Sequence, residues 1–246
     1  MDCYGLTDKG CVRQNNQDSI YFSQEDMLFM VADGMGGHVQ GEVASDMAIK
    51  VVISHIKDHV FDLEDNHPEY DAKIIALLKE SFRLAHRAIY DYSQTLPGNQ
   101  QIMGTTLSLL LLRKNKAYIG HIGDSRIYRL RTDRLEKLTK DHTEIQVLVD
   151  EGLITEEDAE NHRLSHVLTR ALGVSGKDRP DLEIFDTESE DKYLVTSDGI
   201  FRILNLAAVQ EVLADSCSSE EKCHILLDRA LQKGSPDNLS VIIMAL

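Results

Sequence analysis

The chain has few cysteines, and those it has are poorly spaced for a site. Cys3, Cys11, Cys217 and Cys223 show neither the Cys-x-x-Cys spacing of zinc and redox centres nor the density of a secreted disulfide scaffold, so reduced thiols in a cytoplasm are expected. It also lacks a long hydrophobic run: the longest, at 107–112, falls far short of the roughly 20 residues of a spanning helix. The opening Met-Asp-Cys-Tyr-Gly has neither the basic nor the apolar region of a signal peptide, and a cytoplasmic protein without a membrane partner is expected. Basic residues are outnumbered, 26 Lys and Arg against 41 Asp and Glu. The net charge of −15 repels phosphate backbones and anionic lipid and argues against nucleic acid as a partner. No Pro-, Gly- or Ser-rich stretch divides the 246 residues, whose 42% hydrophobic content suits one sizeable core, so one domain over 1–246 is expected.

What is present alternates between two periodicities. Short apolar segments at 3–6, 19–22 and 27–32, punctuated by Gly and Asp, read as strands. Helical spacing follows, in Ala44, Met47, Ala48, Val51, Val52 and Ile56 and again in Ile74, Leu77, Leu78, Phe82, Ala85, Ile89 and Tyr92. From 105 to 138 the pattern returns to strand-length runs at 106–112, 117–122, 127–130 and 135–138, with turns at Lys114-Asn115 and Thr132-Asp133, and reads as a meander. Short helices are expected at 143–151 and 155–161, strands at 182–185 and 193–196, and helices at 206–214 and 220–233, the last capped by Ser218 with Glu221. Runs such as 107–112 are apolar at nearly every residue, which requires cover on both faces, whereas each helix has one apolar stripe. Sheet packed on sheet with helices outside meets both demands.

Three of these apolar runs, at 27–34, 117–125 and 192–199, end in an aspartate followed by a small residue. A fourth aspartate, Asp237, sits in a turn before the closing run 239–246. Carboxylates on rigid strand ends suit Mg²⁺ or Mn²⁺, which prefer hard oxygen donors. Two such ions about 3.5–4 Å apart lower the pKa of a water held between them. A phosphate ester is the matching electrophile, because an arginine such as Arg13 can grip its oxygens bidentately. The pattern reads as a two-metal hydrolase.

In order along the chain stand Arg13-Gln14-Asn15-Asn16-Gln17-Asp18, Val31-Ala32-Asp33-Gly34-Met35-Gly36-Gly37-His38, Gly41-Glu42-Val43-Ala44-Ser45 and Met103-Gly104-Thr105-Thr106. Gly120-His121-Ile122-Gly123-Asp124-Ser125-Arg126, Leu168-Thr169-Arg170-Ala171-Leu172-Gly173, Ser197-Asp198-Gly199 and Asp237-Asn238 follow. Through these motifs the whole chain resembles the metal-dependent Ser/Thr protein phosphatases, the PPM family of the 2C type, and their bacterial branch in particular. The resemblance implies an α+β fold, a four-layer αββα sandwich of two mainly antiparallel sheets flanked by helices, with two Mn²⁺ or Mg²⁺ ions at one end of the sheets. It implies that Asp33 bridges both ions, that Asp198 and Asp237 complete the first, and that the Gly34 carbonyl binds the second. Gln17 and Asp18 act through water, Asp124 with Asp198 holds a third, weaker ion, Arg13 orients the phosphoryl group, and Thr105 stands behind the ligands.

Two positions depart from the family pattern. Met35 stands where many eukaryotic relatives have His, and Gln17 where they have Glu; Met cannot donate a proton to the leaving alkoxide, so His38 is the candidate donor. By the resemblance residues 140–176 would be the family's flap, their charged, Gly-interrupted composition suiting a mobile exposed element, and His142, His162 and His166 are expected to be surface or flap-packing groups rather than ligands. His55 and His59 form a helical pair without an evident third ligand. The segment 173–178 lacks the first glycine and the closing Ser or Thr of a phosphate loop, and Gly123-Asp124-Ser125 lacks a paired histidine motif for a serine triad. The expected activity is hydrolysis of phosphoserine and phosphothreonine in phosphorylated proteins by a metal-bridged hydroxide, by a monomer opposing a Ser/Thr protein kinase. Two alternatives are a non-catalytic pseudophosphatase and a partner-switching phosphatase acting on an anti-sigma antagonist.

Overall fold

The apolar runs fold as strands whose alternate residues serve different layers. The computed structural model describes residues 1–36, 40–60, 68–97, 103–155, 158, 164 and 166–246. In chain order the elements are β1 (Asp2–Asp8), β2 (Asp18–Ser23), β3 (Leu28–Gly36), α1 (Gln40–Val60), α2 (Tyr70–Thr95), β4 (Met103–Thr105), β5 (Leu107–Arg113) and β6 (Lys116–Ile122). They continue with β7 (Arg126–Arg131), β8 (Arg134–Lys137), α3 (Glu144–Asp150), β9 (Asp181–Asp186), β10 (Lys192–Thr196), α4 (Leu206–Ala214), α5 (Ser219–Gln232) and β11 (Leu239–Ala245). One sheet runs β1-β11-β10-β7-β8 and the other β2-β3-β5-β6-β9, with β4 paired to the end of β3. Neighbouring strands are antiparallel.

The layers follow from the two-residue period of a strand. Phe29, Val31, Leu110, Leu112 and Ile119 of one sheet meet Ile127, Tyr193, Val195, Ile242 and Met244 of the other. Their neighbours Leu28, Met30, Leu109 and Leu111 point away, onto Ala48, Val52 and Ile56 of α1 and Ile74, Leu78 and Phe82 of α2. On the far side Leu239, Val241 and Ile243 pack against Val209 and Val212 of α4 and Leu226 and Ala230 of α5. Each fully buried Leu, Ile or Phe contributes about 1.5–3 kcal/mol. The arrangement is the expected α+β sandwich, helices on sheet on sheet on helices.

The expected meander over 105–138 is a correction. β5 and β6 form one hairpin and β7 and β8 another, but the hairpins belong to different sheets. The switch is made at Gly123, whose φ of +106° favours glycine, and where a Cβ would lie 2.4 Å from Thr106 Cγ2. β4 is an addition: the Met103-Gly104-Thr105 motif pairs with Gly34 to Gly36, and Thr105 also bridges Leu172. Of the helix expected at 155–161, Thr155 and Asp158 lie among the described residues, and the Asp158 N–H donates to Thr155 Oγ1 (3.1 Å). The cap read from the sequence is present, Ser218 and Glu221 forming a capping box on α5, and the structure adds Thr143 and Asn205 as caps of α3 and α4. Among the described residues no helix is long and apolar enough to cross a membrane.

Candidate metal centre

Antiparallel pairing brings strand ends and strand starts to one end of the sandwich. Asp33, near the end of β3, lies opposite Asp18, the first residue of β2. Asp198 follows β10 and opens a 3-10 turn, Asp198–Ile200, while Asp237 precedes β11, which runs antiparallel to β10. Asp124 follows β6, which ends beside the start of β5. Asp18 joins the sheets, its Oδ2 accepting from Ser197 Oγ (2.8 Å) and Ser240 Oγ (2.6 Å) of the opposite sheet.

These acids strain one another. Burial raises the Asp33 carboxyl well above the ordinary carboxylate range, and the charges of Asp18, Asp198, Asp124 and Asp237 raise it further. Burial pushes Asp18 up to about 7 against the opposing hydrogen bonds from Ser240 and Ser197. Asp124 is likewise raised by burial and by Asp198 and Asp141. Two buried oxygens, Asp18 Oδ1 and Asp198 Oδ1, have no hydrogen-bond partner among the described residues. Buried acids that repel one another and present orphaned oxygens call for cations, and an all-oxygen donor set fits Mg²⁺ or Mn²⁺.

Two guanidinium groups meet part of that demand. Arg13 engages Asp237 as a fork, Nε to Oδ1 at 2.8 Å and Nη2 to Oδ2 at 3.0 Å. Arg202 donates from Nε to Asp198 Oδ2 (2.9 Å), and its Nη2 stands 3.4 Å from Asp237 Oδ2. Among the described residues no three Asp, Glu, His or Cys side chains close around a common point.

Main-chain contacts hold the expected donors in register. The Gly34 N–H donates to the Gln17 carbonyl (3.0 Å), and a Cβ at Gly34 would lie 2.0 Å from the Gly41 carbonyl oxygen, so the chain approaches the start of α1 as only glycine can. Thr105 Oγ1 donates to the Asp33 carbonyl (2.9 Å), while the Asp33 N–H donates to Thr106 Oγ1 (2.9 Å). The structure thus brings Arg13, Gln17, Asp18, Asp33, Gly34, Thr105, Asp124, Asp198 and Asp237 to one end of the sheets. His38 lies outside the described residues.

Three further residues support the site without having been singled out for it. Asn238 takes the Gln17 N–H on Oδ1 (2.9 Å) and donates from Nδ2 to the Lys9 and Asn15 carbonyls (2.9 and 3.0 Å), fastening the segment that carries Arg13. His142, expected as a surface or flap-packing group, is buried and hydrogen-bonded to Gly123 beside Asp124. Two residues near the ends of the stretch 140–176 are anchored to the site, His142 to Gly123 and Leu172 to Thr105. Arg202 had one local signal, its place four residues after Asp198, the spacing at which side chains meet on a helical turn.

A sequence profile described as protein phosphatase 2C matches residues 11–233. The chain is 38% identical over 237 residues to the serine/threonine protein phosphatase PstP of Mycobacterium tuberculosis, an alignment covering 96% of this chain and 43% of PstP. It therefore spans less than half the length of that relative. It is 32% identical over 244 residues to the serine/threonine phosphatase stp of Listeria innocua, covering 97% of this chain and 93% of stp. The crystal structure of the M. tuberculosis phosphatase PstP superposes with a TM-score of 0.87 at 37% identity, covering 99% of this chain and 97% of that one. A PstP catalytic domain solved in complex with two manganese ions superposes at 0.82 with 36% identity, covering 98% and 96% of the two chains. With nearly its whole length matched in sequence and in fold, the chain belongs to the protein phosphatase 2C family.

Proposed function

We propose that this chain is a metal-dependent phosphatase that hydrolyses phosphoserine and phosphothreonine in proteins. The observation that carries the reading is the convergence of Asp18, Asp33, Asp124, Asp198 and Asp237 beside Arg13, with two buried carboxylate oxygens lacking partners among the described residues. The relatives named as serine/threonine phosphatases, one of them solved with two manganese ions, support it.

In this reading two Mn²⁺ or Mg²⁺ ions, when bound, offset phosphoryl charge and lower the pKa of an attacking water. The chain's own residues set the geometry. Asp33, its backbone fixed by Thr105 and Thr106, would supply a carboxylate to both ions. Asp198 and Asp237 would help hold one ion and the Gly34 carbonyl the other, while Asp18 and Gln17 would act through water. The Arg13 side chain is 52% exposed and holds Asp237 through Nε and Nη2, so its remaining N–H donors are the ones that would meet phosphoryl oxygens. His38 is the proposed proton donor to the leaving alkoxide. Residues 1–246 act as one catalytic unit, with 140–176 as its flap. Phosphorylated proteins are the substrates, a Ser/Thr protein kinase is the opposing enzyme, and the protein works as a monomer in the cytoplasm.

The test is release of phosphate from a phosphothreonine peptide with Mn²⁺, with Mg²⁺ and with EDTA, beside Asp33→Asn. Turnover that needs metal and disappears in the variant is expected. A folded protein inactive with either metal would overturn the reading in favour of a phosphoprotein-binding module, and an active Asp33→Asn protein would sink the role given to that carboxylate.

A further inference from the structure

Arg202 is a cation of this cleft to which the reading above gives no task. Its backbone N–H donates to the Asp198 carbonyl (3.2 Å), and its side chain returns to the same residue, Nε and Nη2 both donating to Asp198 Oδ2 at 2.9 and 2.5 Å. Nη2 also stands 3.4 Å from Asp237 Oδ2, Nη1 stands 3.4 Å from His166 Nε2 in the flap segment, and Asp124 lies within electrostatic reach. The side chain is 24% exposed, so it is a packed part of the cleft and not a surface arginine lying across it. A guanidinium does not lose its charge in a protein, and its donors match carboxylate oxygens. It therefore holds a fixed positive charge among the acids that an ion shared by Asp124 and Asp198 would use. Both donors take Asp198 Oδ2, whereas Asp198 Oδ1 has no partner among the described residues and stays open to the first ion; an ion shared with Asp124 through Oδ2 would have to displace those hydrogen bonds and tolerate a like charge at contact distance.

We propose that the Arg202 guanidinium takes the place of the third, weaker ion, so that the chain holds two divalent ions and one resident arginine where Asp124 and Asp198 would otherwise share a metal. The proposal rests on the two-ion reading above. It makes Arg202 a positioning residue: it holds Asp198 in place through charge and hydrogen bonding, and links that carboxylate to the flap segment through His166.

The test is Mn²⁺ binding to the chelator-treated full chain, counted from the electron paramagnetic resonance signal of free Mn²⁺ and by calorimetry. The wild type should bind two equivalents, and Arg202→Ala three. Adding Asp124→Asn to Arg202→Ala should return the count to two, and Arg202→Lys, which keeps the charge, should stay at two. Arg202→Gln, which keeps polarity and length, serves as the neutral variant should Arg202→Ala fail to fold. Three equivalents in the wild type, or two in the folded neutral variant, would overturn the proposal while leaving the phosphatase reading intact. A wild type that binds no Mn²⁺ would overturn both, which the phosphate-release assay reports independently.

Discussion

Gly123 and His142 are paired in both directions: the Gly123 N–H donates to His142 Nδ1 (3.1 Å), and the His142 N–H donates to the Gly123 carbonyl (2.7 Å). Because Nδ1 accepts, the ring proton is on Nε2, which donates to Asp181 Oδ2 (3.0 Å), and burial holds the imidazole below its ordinary pKa. The pair ties His142, just before α3, to the residue before Asp124.

Replacing this histidine should therefore cost both stability and activity. His142→Ala leaves a buried N–H without an acceptor, a loss of about 1–3 kcal/mol, which at about 2–4 °C per kcal/mol lowers the melting temperature by several degrees. Phosphate release should fall by about tenfold, since displacement near reacting groups is costly. Thermal melts and steady-state kinetics measure both, and unchanged values would remove His142 from the site's support.

Asn238 should matter through Arg13. Its three hydrogen bonds hold the Lys9, Asn15 and Gln17 backbone, so Asn238→Ala frees the segment that presents the guanidinium. A fall of about 10–100-fold in kcat/KM is expected. The informative comparison is with Arg13→Ala: if Asn238 acts by aiming Arg13, the double variant should be no worse than Arg13→Ala alone, whereas fully additive losses would show an independent role.

Gly34→Ala tests the close approach of β3 to α1. The added methyl would meet the Gly41 carbonyl oxygen at 2.0 Å and the Gln17 carbonyl oxygen at 2.7 Å, both backbone atoms that cannot rotate aside. Overpacking of this kind costs about 1–3 kcal/mol or more. A melting temperature lowered by at least several degrees is expected, with activity lost in the fraction that stays folded. A variant as stable and active as the wild type would show that α1 can move without consequence.

The acid stability of the fold should depend on Asp191, far from the cleft. Its side chain is fully buried; burial alone would raise its pKa, but hydrogen bonds from Arg131 Nε and Nη2 (2.8 and 2.7 Å) and from the Glu188 N–H (2.9 Å) hold it below the ordinary value. A carboxylate lowered on folding contributes stability above its unfolded pKa of about 3.9, and loses it as pH falls through the lower folded value. Asp191→Asn should therefore melt several degrees below the wild type at pH 7, and the gap should narrow below about pH 4. Melts at pH 7, 5 and 3 decide it; a gap that stays constant into acid would mean that Asp191 acts by shape and not by charge.

What the chain determined by itself is what depends on near neighbours. Leu109, Leu110, Leu111 and Leu112 are apolar at both parities, and in a structure of period two that demands a layer on each face, hence the sandwich. The Ser218 and Glu221 cap and the Lys114-Asn115 and Thr132-Asp133 turns are likewise contacts within a few residues, and all formed as read. Aspartates at strand ends were legible because a strand end is a local property, and antiparallel pairing then had to gather Asp33, Asp198 and Asp237 on one side. Only the tertiary structure decided that β7 and β8 leave the sheet of β5 and β6, since Ile127 to Leu130 would satisfy the apolar period in either sheet. Only it could place Arg202 against Asp237, Ser197 and Ser240 against Asp18, and His142 against Gly123. Those contacts join groups far apart in sequence, and whether they meet depends on strand order, which no local pattern encodes.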